Sequence, residues 1–148
     1  MKKITVILFL LMVFFASIIN AENVKANVDD NYILIILNKN PYDGSDITWN
    51  ALRLAKKLNS LKKNVKIFLI NDSVDLARDA AKKPENYDID LVAMLKSLIK
   101  SGVEVKACST CMARCGIYKN KPYFSKNLEG HMDNLAAWIL SASKVISF

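Results

Sequence analysis

From Tyr32 onward the sequence predicts an α/β domain: a mostly parallel β-sheet with helices on both faces, arranged in three layers. Short β-branched, apolar runs recur at Tyr32–Asn38, Val65–Ile70, Val103–Ala107 and Lys144–Phe148. Segments with helical spacing of apolar residues lie between them, and turn residues mark the junctions. A continuous apolar run of strand length belongs to a strand covered on both faces. Strands that alternate with helices are joined by right-handed crossovers and therefore run parallel.

Residues 1–21 stand apart from this pattern. Lys2 and Lys3 precede an apolar run from Ile4 to Ile19, and Ala21 is a small residue directly before Glu22. A positive start, an apolar middle and a small exit residue are the parts of a secretory signal, here cleaved after Ala21. The alternative is a retained N-terminal membrane anchor, although the run is about 16 residues where a bilayer span takes ~20. The expected location is therefore periplasmic or otherwise exported. Residues 22–31 are polar and small, without periodicity, and read as a linker to the domain at 32–148.

Within the domain, Asn40-Pro41-Tyr42-Asp43-Gly44 is turn chemistry after the first strand. A helix follows from Ile47 to Leu61, opened by Ser45 or Asp46, with Ala51, Leu54, Ala55, Leu58 and Leu61 on its apolar face. After the second strand, Asn71-Asp72-Ser73 is a turn and cap, and Val74 to Lys82 is a short helix broken before Pro84. Asp88 or Asp90 caps a helix from Ile89 to Lys100 that turns Val92, Leu95, Leu98 and Ile99 inward. Gly102 ends it in the left-handed conformation. Met132, Leu135, Ala136 and Ile139 line a last helix before the final strand.

Parallel strands point their C-terminal ends the same way. The loops after Asn38 and Ile70 and the segment from Cys108 therefore share one edge, where open α/β sheets bind their ligands. Asn38, Asp43, Asn71 and Asp72 are ligand candidates on that edge, although such residues more often serve as caps and turn formers. Trp49 and Trp138 fall on helices and are expected to pack at the sheet or at a subunit contact.

At 148 residues, 52% of them hydrophobic, the chain can build one core but not two sizeable domains. Such a domain needs no covalent staple, and its three cysteines are confined to one stretch, unlike a disulfide framework. The net charge is +7, or +5 once Lys2 and Lys3 leave with residues 1–21. Lysines occur in scattered pairs (Lys56-Lys57, Lys62-Lys63, Lys82-Lys83) with no basic stripe interleaved with aromatics. That pattern is a solubilising surface, not a nucleic-acid interface. Membrane contact is expected only through the leader, if it is retained.

The chemistry-bearing segment is Ala107-Cys108-Ser109-Thr110-Cys111-Met112-Ala113-Arg114-Cys115-Gly116. Cys108 sits at the end of a predicted strand, with Cys111 and Cys115 three and four residues further on. If Ser109 opens a helix, Cys108 lies at its first turn, where unpaired N–H groups favour thiolate, and Arg114 adds positive charge if it points inward. Packing alone explains one cysteine, Cys115 beside Gly116, better than three. Cys108-x-x-Cys111 also matches a thiol–disulfide redox pair. A closed zinc site needs four ligands, whereas three thiols and His131 lack a second ligand pair, so neither a metal nor another cofactor is expected. His131 reads as an exposed residue opening the last helix.

The chain resembles the DsrE/DsrF-like family, the sulfur-relay proteins that include the TusD type. The resemblance is carried by Ile36–Gly44, Asn50–Ala55, Phe68–Val74, Leu95–Val105 and Ala107–Gly116, and spans Tyr32 to Phe148. It implies a DsrEFH-like sheet flanked by helices, homotrimers or hexamers, and a strand-end cysteine that carries a persulfide between a sulfur donor and an acceptor protein or thiol. Cys108 matches that cysteine. Cys111 matches a second one found in a subset of the family, and Cys115 matches none. A persulfide carrier is thus the first expectation. The alternatives are a non-catalytic oligomeric binding subunit and a thiol–disulfide oxidoreductase using Cys108 and Cys111.

Overall fold

A computed structural model describes residues 31–114 and 123–148. Its strands are β1 (Tyr32–Leu37), β2 (Asn64–Leu69), β3 (Glu104–Cys108), β4 (Glu129–Gly130) and β5 (Lys144–Ser147). They form one sheet in the order β4-β3-β2-β1-β5, with every neighbouring pair parallel. The helices are α1 (Ile47–Ser60), α2 (Leu91–Lys100), α3 (Ser109–Arg114) and α4 (Met132–Ser141), joined by 3₁₀ turns at Asn71–Ala77 and Lys126–Leu128. This is the α/β architecture that the alternation of strands and helices predicts.

The two faces of the sheet differ, and the alternation of side chains along each strand shows why. Val65, Ile67 and Leu69 of β2 and Val105 and Ala107 of β3 are buried. With Ala51, Leu52 and Ala55 of α1 and Leu91, Leu95 and Leu98 of α2 they make the main core. On the other face Tyr32 donates its hydroxyl to the Trp138 carbonyl at 2.8 Å, and Phe68 meets the Trp138 ring edge-on at 5.9 Å. α4 therefore covers β1 and β2 from that side. At its margin the strands turn polar: Lys66 pairs with Glu104 at 2.9 Å and lies 4.4 Å over the Tyr32 ring and 4.9 Å over that of Trp138.

Three expectations change. Leu61 is 56% exposed, and of the residues expected to line the last helix Met132 and Ile139 are 56% and 43% exposed, leaving Leu135 as its buried anchor. The helix expected at Val74–Lys82 is a 3₁₀ turn that starts earlier and ends at Ala77. The buried Ser73 hydroxyl donates to Leu37 O at 2.6 Å and accepts from Ile70 N at 3.0 Å, which pins the turn to the ends of β1 and β2. Arg78 then extends to bridge Tyr123. The strand β4 was not expected at all. A Cβ at Gly130 would lie 2.9 Å from the Cβ of Lys106, so this two-residue strand is set by close backbone approach and not by an apolar run.

Caps follow chemistry more closely. Asp90 accepts from Ala93 N at 2.8 Å and opens α2, and Gly102 ends the segment after it at φ +95°. Asp46 occupies the α1 cap position without a side-chain bond, because Asp43 holds the preceding Ser45 through N and Oγ at 2.9 and 2.6 Å.

Ile35→Ala, in the centre of β1 and fully buried, is expected to lower unfolding free energy by ~2–5 kcal/mol. Leu61→Ala, at 56% exposure, should stay within ~0.5 kcal/mol. Urea unfolding of both variants checks the ranking, and equal effects would contradict this core.

Candidate functional site: a thiol pair at the sheet's carboxyl edge

The strand order places the site. From β1 to β4 the chain advances across the sheet in one direction, and β5 returns to the far side of β1. Right-handed crossovers then send the connections leaving β3 and β4 to opposite faces, which opens the sheet edge between those strand ends. Cys108 is the last residue of β3 and pairs in register with Gly130 of β4. Ser109 begins α3 without a linker.

This abrupt turn folds Cys111 back over Cys108. The Cys111 amide donates to Cys108 Sγ at 3.3 Å. The Cys111 thiol is held above its usual range by burial first and by its hydrogen bond to Cys108 second, while the Asn71 amide and the Arg114 charge oppose this. Cys108 Sγ is thus the acceptor of the Cys111 amide. Both cysteines are free thiols, Cys108 buried and Cys111 half-buried. Cys108 is 2% exposed, deeper than the accessible rim position suggested by the end of a strand, because α3 and its buried Met112 close over it.

The loop after β2 reaches the same place. Asn71 adopts a left-handed conformation, φ 54°, and its amide hydrogen-bonds the Cys111 sulfur. A short polar residue tolerates that backbone. Two further contributions were not read from the sequence. Ser109 Oγ lies 2.8 Å from His131 Nδ1, joining the first residues beyond β3 and β4. The Tyr123 hydroxyl is pushed up to about 12, by burial first and then by Glu129, Cys108 and Cys111. His131 is exposed and opens α4 as expected, with Asn134 accepting from its amide at 2.8 Å. Only the adjacency of β3 and β4 would have revealed its partner.

The remaining expected residues separate into near and far. Arg114 is exposed at the end of α3, its charge felt at Cys111. Asp72 is exposed beside Asn71. Asn38 donates to Ser147 Oγ at 3.2 Å, at the β1–β5 end of the edge. Asp43 is a turn residue whose carboxyl is held below its usual range by the Ser45 side chain and amide. Asn38 and Asp43 therefore stand apart from the thiols. Cys115 lies outside the described residues. A separate concavity between α1 and α2, lined by Leu52, Lys56, Met94 and Ser97 among others, shares no residue with the thiol site.

A parallel α/β sheet with a strand-end cysteine defines a class, and comparison with known proteins fixes it. The chain belongs to the DsrE/DsrF-like family, whose model matches residues 31–148. It therefore has a sulfur-relay-type fold, and proteins of this family generally act in sulfur relay with partners. It is similar to protein YchN of Escherichia coli, 37% identical over 118 residues covering 78% of this chain and 97% of that one. An uncharacterised protein of Methanopyrus kandleri is 32% identical over 119 residues, 78% of this chain and 93% of its own. The crystal structure of YchN matches with a TM-score of 0.68 at 35% identity, over 80% of this chain and 99% of that one.

The raised phenol has a consequence for alkaline stability. An ordinary tyrosine ionises near 10 and Tyr123 near 12 in the fold, so above pH 10 the unfolded chain releases this proton first. Stability therefore falls as pH rises through that window. Tyr123→Phe should remove part of the fall in urea midpoint between about pH 10 and 12. An unchanged slope would refute the assignment.

Proposed function

We propose that the protein is an exported carrier of sulfane sulfur, with Cys108 as the sulfur that becomes persulfidated. The supporting observation is the asymmetry of the thiol pair: the Cys111 amide donates to Cys108 Sγ, while burial holds the Cys111 thiol above its usual range. Hydrogen bonds to a sulfur favour its anionic, nucleophilic form. The Cys108 thiolate attacks the outer sulfur of a small persulfide, R–S–SH. The donor's S–S bond breaks, R–S⁻ leaves, and Cys108–S–SH forms with no net oxidation. An acceptor thiolate, on a protein or a small molecule, takes the sulfur by the same displacement.

The proximity of Cys111 supports a second branch. Its thiol attacks Cys108 Sγ, hydrogen sulfide leaves with the proton, and a Cys108–Cys111 disulfide remains. Sulfane sulfur is then reduced at the expense of two thiols, and an external dithiol must restore them. This is the point at which carrier and thiol–disulfide oxidoreductase meet. The burial of Cys108 favours instead the non-catalytic reading, a binding subunit with inert thiols, and the same experiment decides between them.

Reduced protein incubated with inorganic polysulfide should gain sulfur by intact mass. Cys108→Ser should lose that adduct, and Cys111→Ser should retain it longer while releasing less sulfide. An adduct equally strong in Cys108→Ser would remove Cys108 from its role, and none in the wild type would leave the binding subunit.

Two further parts of the proposal are the exported location and self-association. Export rests on residues 1–21, and protein isolated from cells should begin at Glu22; a mass retaining Met1 or Lys2 would mean a retained anchor or no export. Assembly as a trimer or hexamer is supported by the apolar residues left open on α4 and β5: Met132, Ile139, Leu140 and Val145 are all more than 40% exposed.

A further inference from the structure

Tyr123 is held in an unusual way for a residue with no hydrogen-bonding role of its own. Its backbone bridges Arg78 in antiparallel fashion, and the next residue, Phe124, donates its amide to Ala77 O at 3.1 Å. Ala77 and Arg78 end the 3₁₀ turn whose first residue, Asn71, touches the Cys111 sulfur. That turn packs against both β3 and α3. The segment bearing Tyr123 is thus fastened to the element that flanks the thiols.

The hydroxyl is buried and has no hydrogen-bond partner among the described residues. Arg78 Nε also lacks a well-directed bond, but Asp75 lies 2.8 Å away as its counter-charge. Tyr123 has no such compensation. A buried hydroxyl without a partner is destabilising, and native folds keep such groups only rarely. Glu129, Cys108 and Cys111 are the groups whose charge reaches it. Burial first, and these charges second, keep the phenol protonated throughout the range in which thiols and persulfides ionise, so toward an anion it can act only as a donor.

We infer that the Tyr123 hydroxyl is the hydrogen-bond donor to the outer, anionic sulfur of a persulfide formed on Cys108. This rests on the reading of Cys108 as the persulfidated residue and extends it to the group that holds the transferred atom. The resting thiol gives the hydroxyl nothing to bind. A persulfide places a second sulfur about 2 Å beyond Sγ, carries its charge there, and gives the buried donor an acceptor. The ligand class is a sulfane-sulfur anion, whose size and single charge suit a closed site.

The test is Tyr123→Phe, which removes one oxygen and preserves the ring. Wild type and variant are loaded with inorganic polysulfide, the excess is removed, and retention of the Cys108 adduct is followed by intact mass. The pH at which the persulfide ionises is read from its ultraviolet absorbance. Charged or titratable neighbours common to both proteins are Glu129 on β4, Cys111 and Arg114 on α3, His131 through Ser109, and the Arg78–Asp75 pair. The variant should lose the adduct about tenfold faster or more, the size expected for a hydrogen bond to a charged group. Its persulfide should also ionise at higher pH, which a packing defect would not produce. Its urea midpoint at neutral pH should be unchanged or higher, since an unpartnered hydroxyl has been removed.

Equal adduct lifetimes and an unshifted ionisation in Tyr123→Phe, with a normal adduct on wild-type Cys108, would overturn this inference alone. A lower urea midpoint in the variant would overturn it too, by giving the hydroxyl a structural role. A wild type that takes up no sulfur, or a Cys108→Ser variant that takes it up equally, would overturn the carrier reading and this inference together.

Discussion

β3 runs into α3 without a linker: Cys108 is the last strand residue and Ser109 the first helical one. A parallel strand fixes where Cys108 lies, through its register with Gly130 on one side and the β2 pairing on the other. The immediate helical turn then fixes where residue 111 returns. These two backbone constraints bring the Cys111 amide within 3.3 Å of Cys108 Sγ. A longer linker would separate the sulfurs, and a different register would detach them from the β3–β4 opening.

The same geometry sorts the two thiols into unequal roles. A group that must lose its proton to act is helped by donors, and a group that donates is kept protonated. The Cys111 amide is the donor to Cys108 Sγ, and the Asn71 amide reaches Cys111 from the next loop. The left-handed turn at Asn71 is therefore more than a connection between β2 and the 3₁₀ segment. It brings a third backbone element into contact with sulfur, as the shared edge of a parallel sheet allows.

Much of this was legible from residue pattern because the buried elements carry strong, redundant signals. The β-branched runs of β1 and β2, the spacing of Val92, Leu95 and Leu98, and the glycine after α2 each have one physical reading, and the fold agrees with it. The thiol segment was legible because three cysteines in one stretch exceed what packing requires. What escaped was set by contacts distant in sequence. β4 consists of Glu129 and Gly130, a strand only by its pairing with β3, where the Lys106 Cβ leaves room for glycine alone. Tyr123 has no local pattern, because its position comes from pairing with Arg78. His131 showed its local role as a helix opener but not its bond to Ser109, which requires knowing that β4 lies beside β3.

The edge of the sheet is not uniformly available, and this narrows the chemistry. At the β1–β5 end, Asn38 N donates to Phe148 O at 3.0 Å and Phe148 N to Ile36 O at 2.9 Å, while the Asn38 side chain bonds Ser147. Those contacts occupy the backbone groups of the β1–β5 end, and the Asn38 side chain joins them. At the β3–β4 end the chain diverges, with Cys108 at the strand end and Cys111 on the six-residue helix that follows. Cys108 at 2% exposure and Cys111 half-buried form a graded approach in which the outer thiol is met first. A bulky disulfide-bearing substrate cannot present its sulfur to Cys108 without displacing α3. On the carrier reading proposed above, the burial of Cys108 and the half-burial of Cys111 are the constraint that any sulfur donor or acceptor must meet.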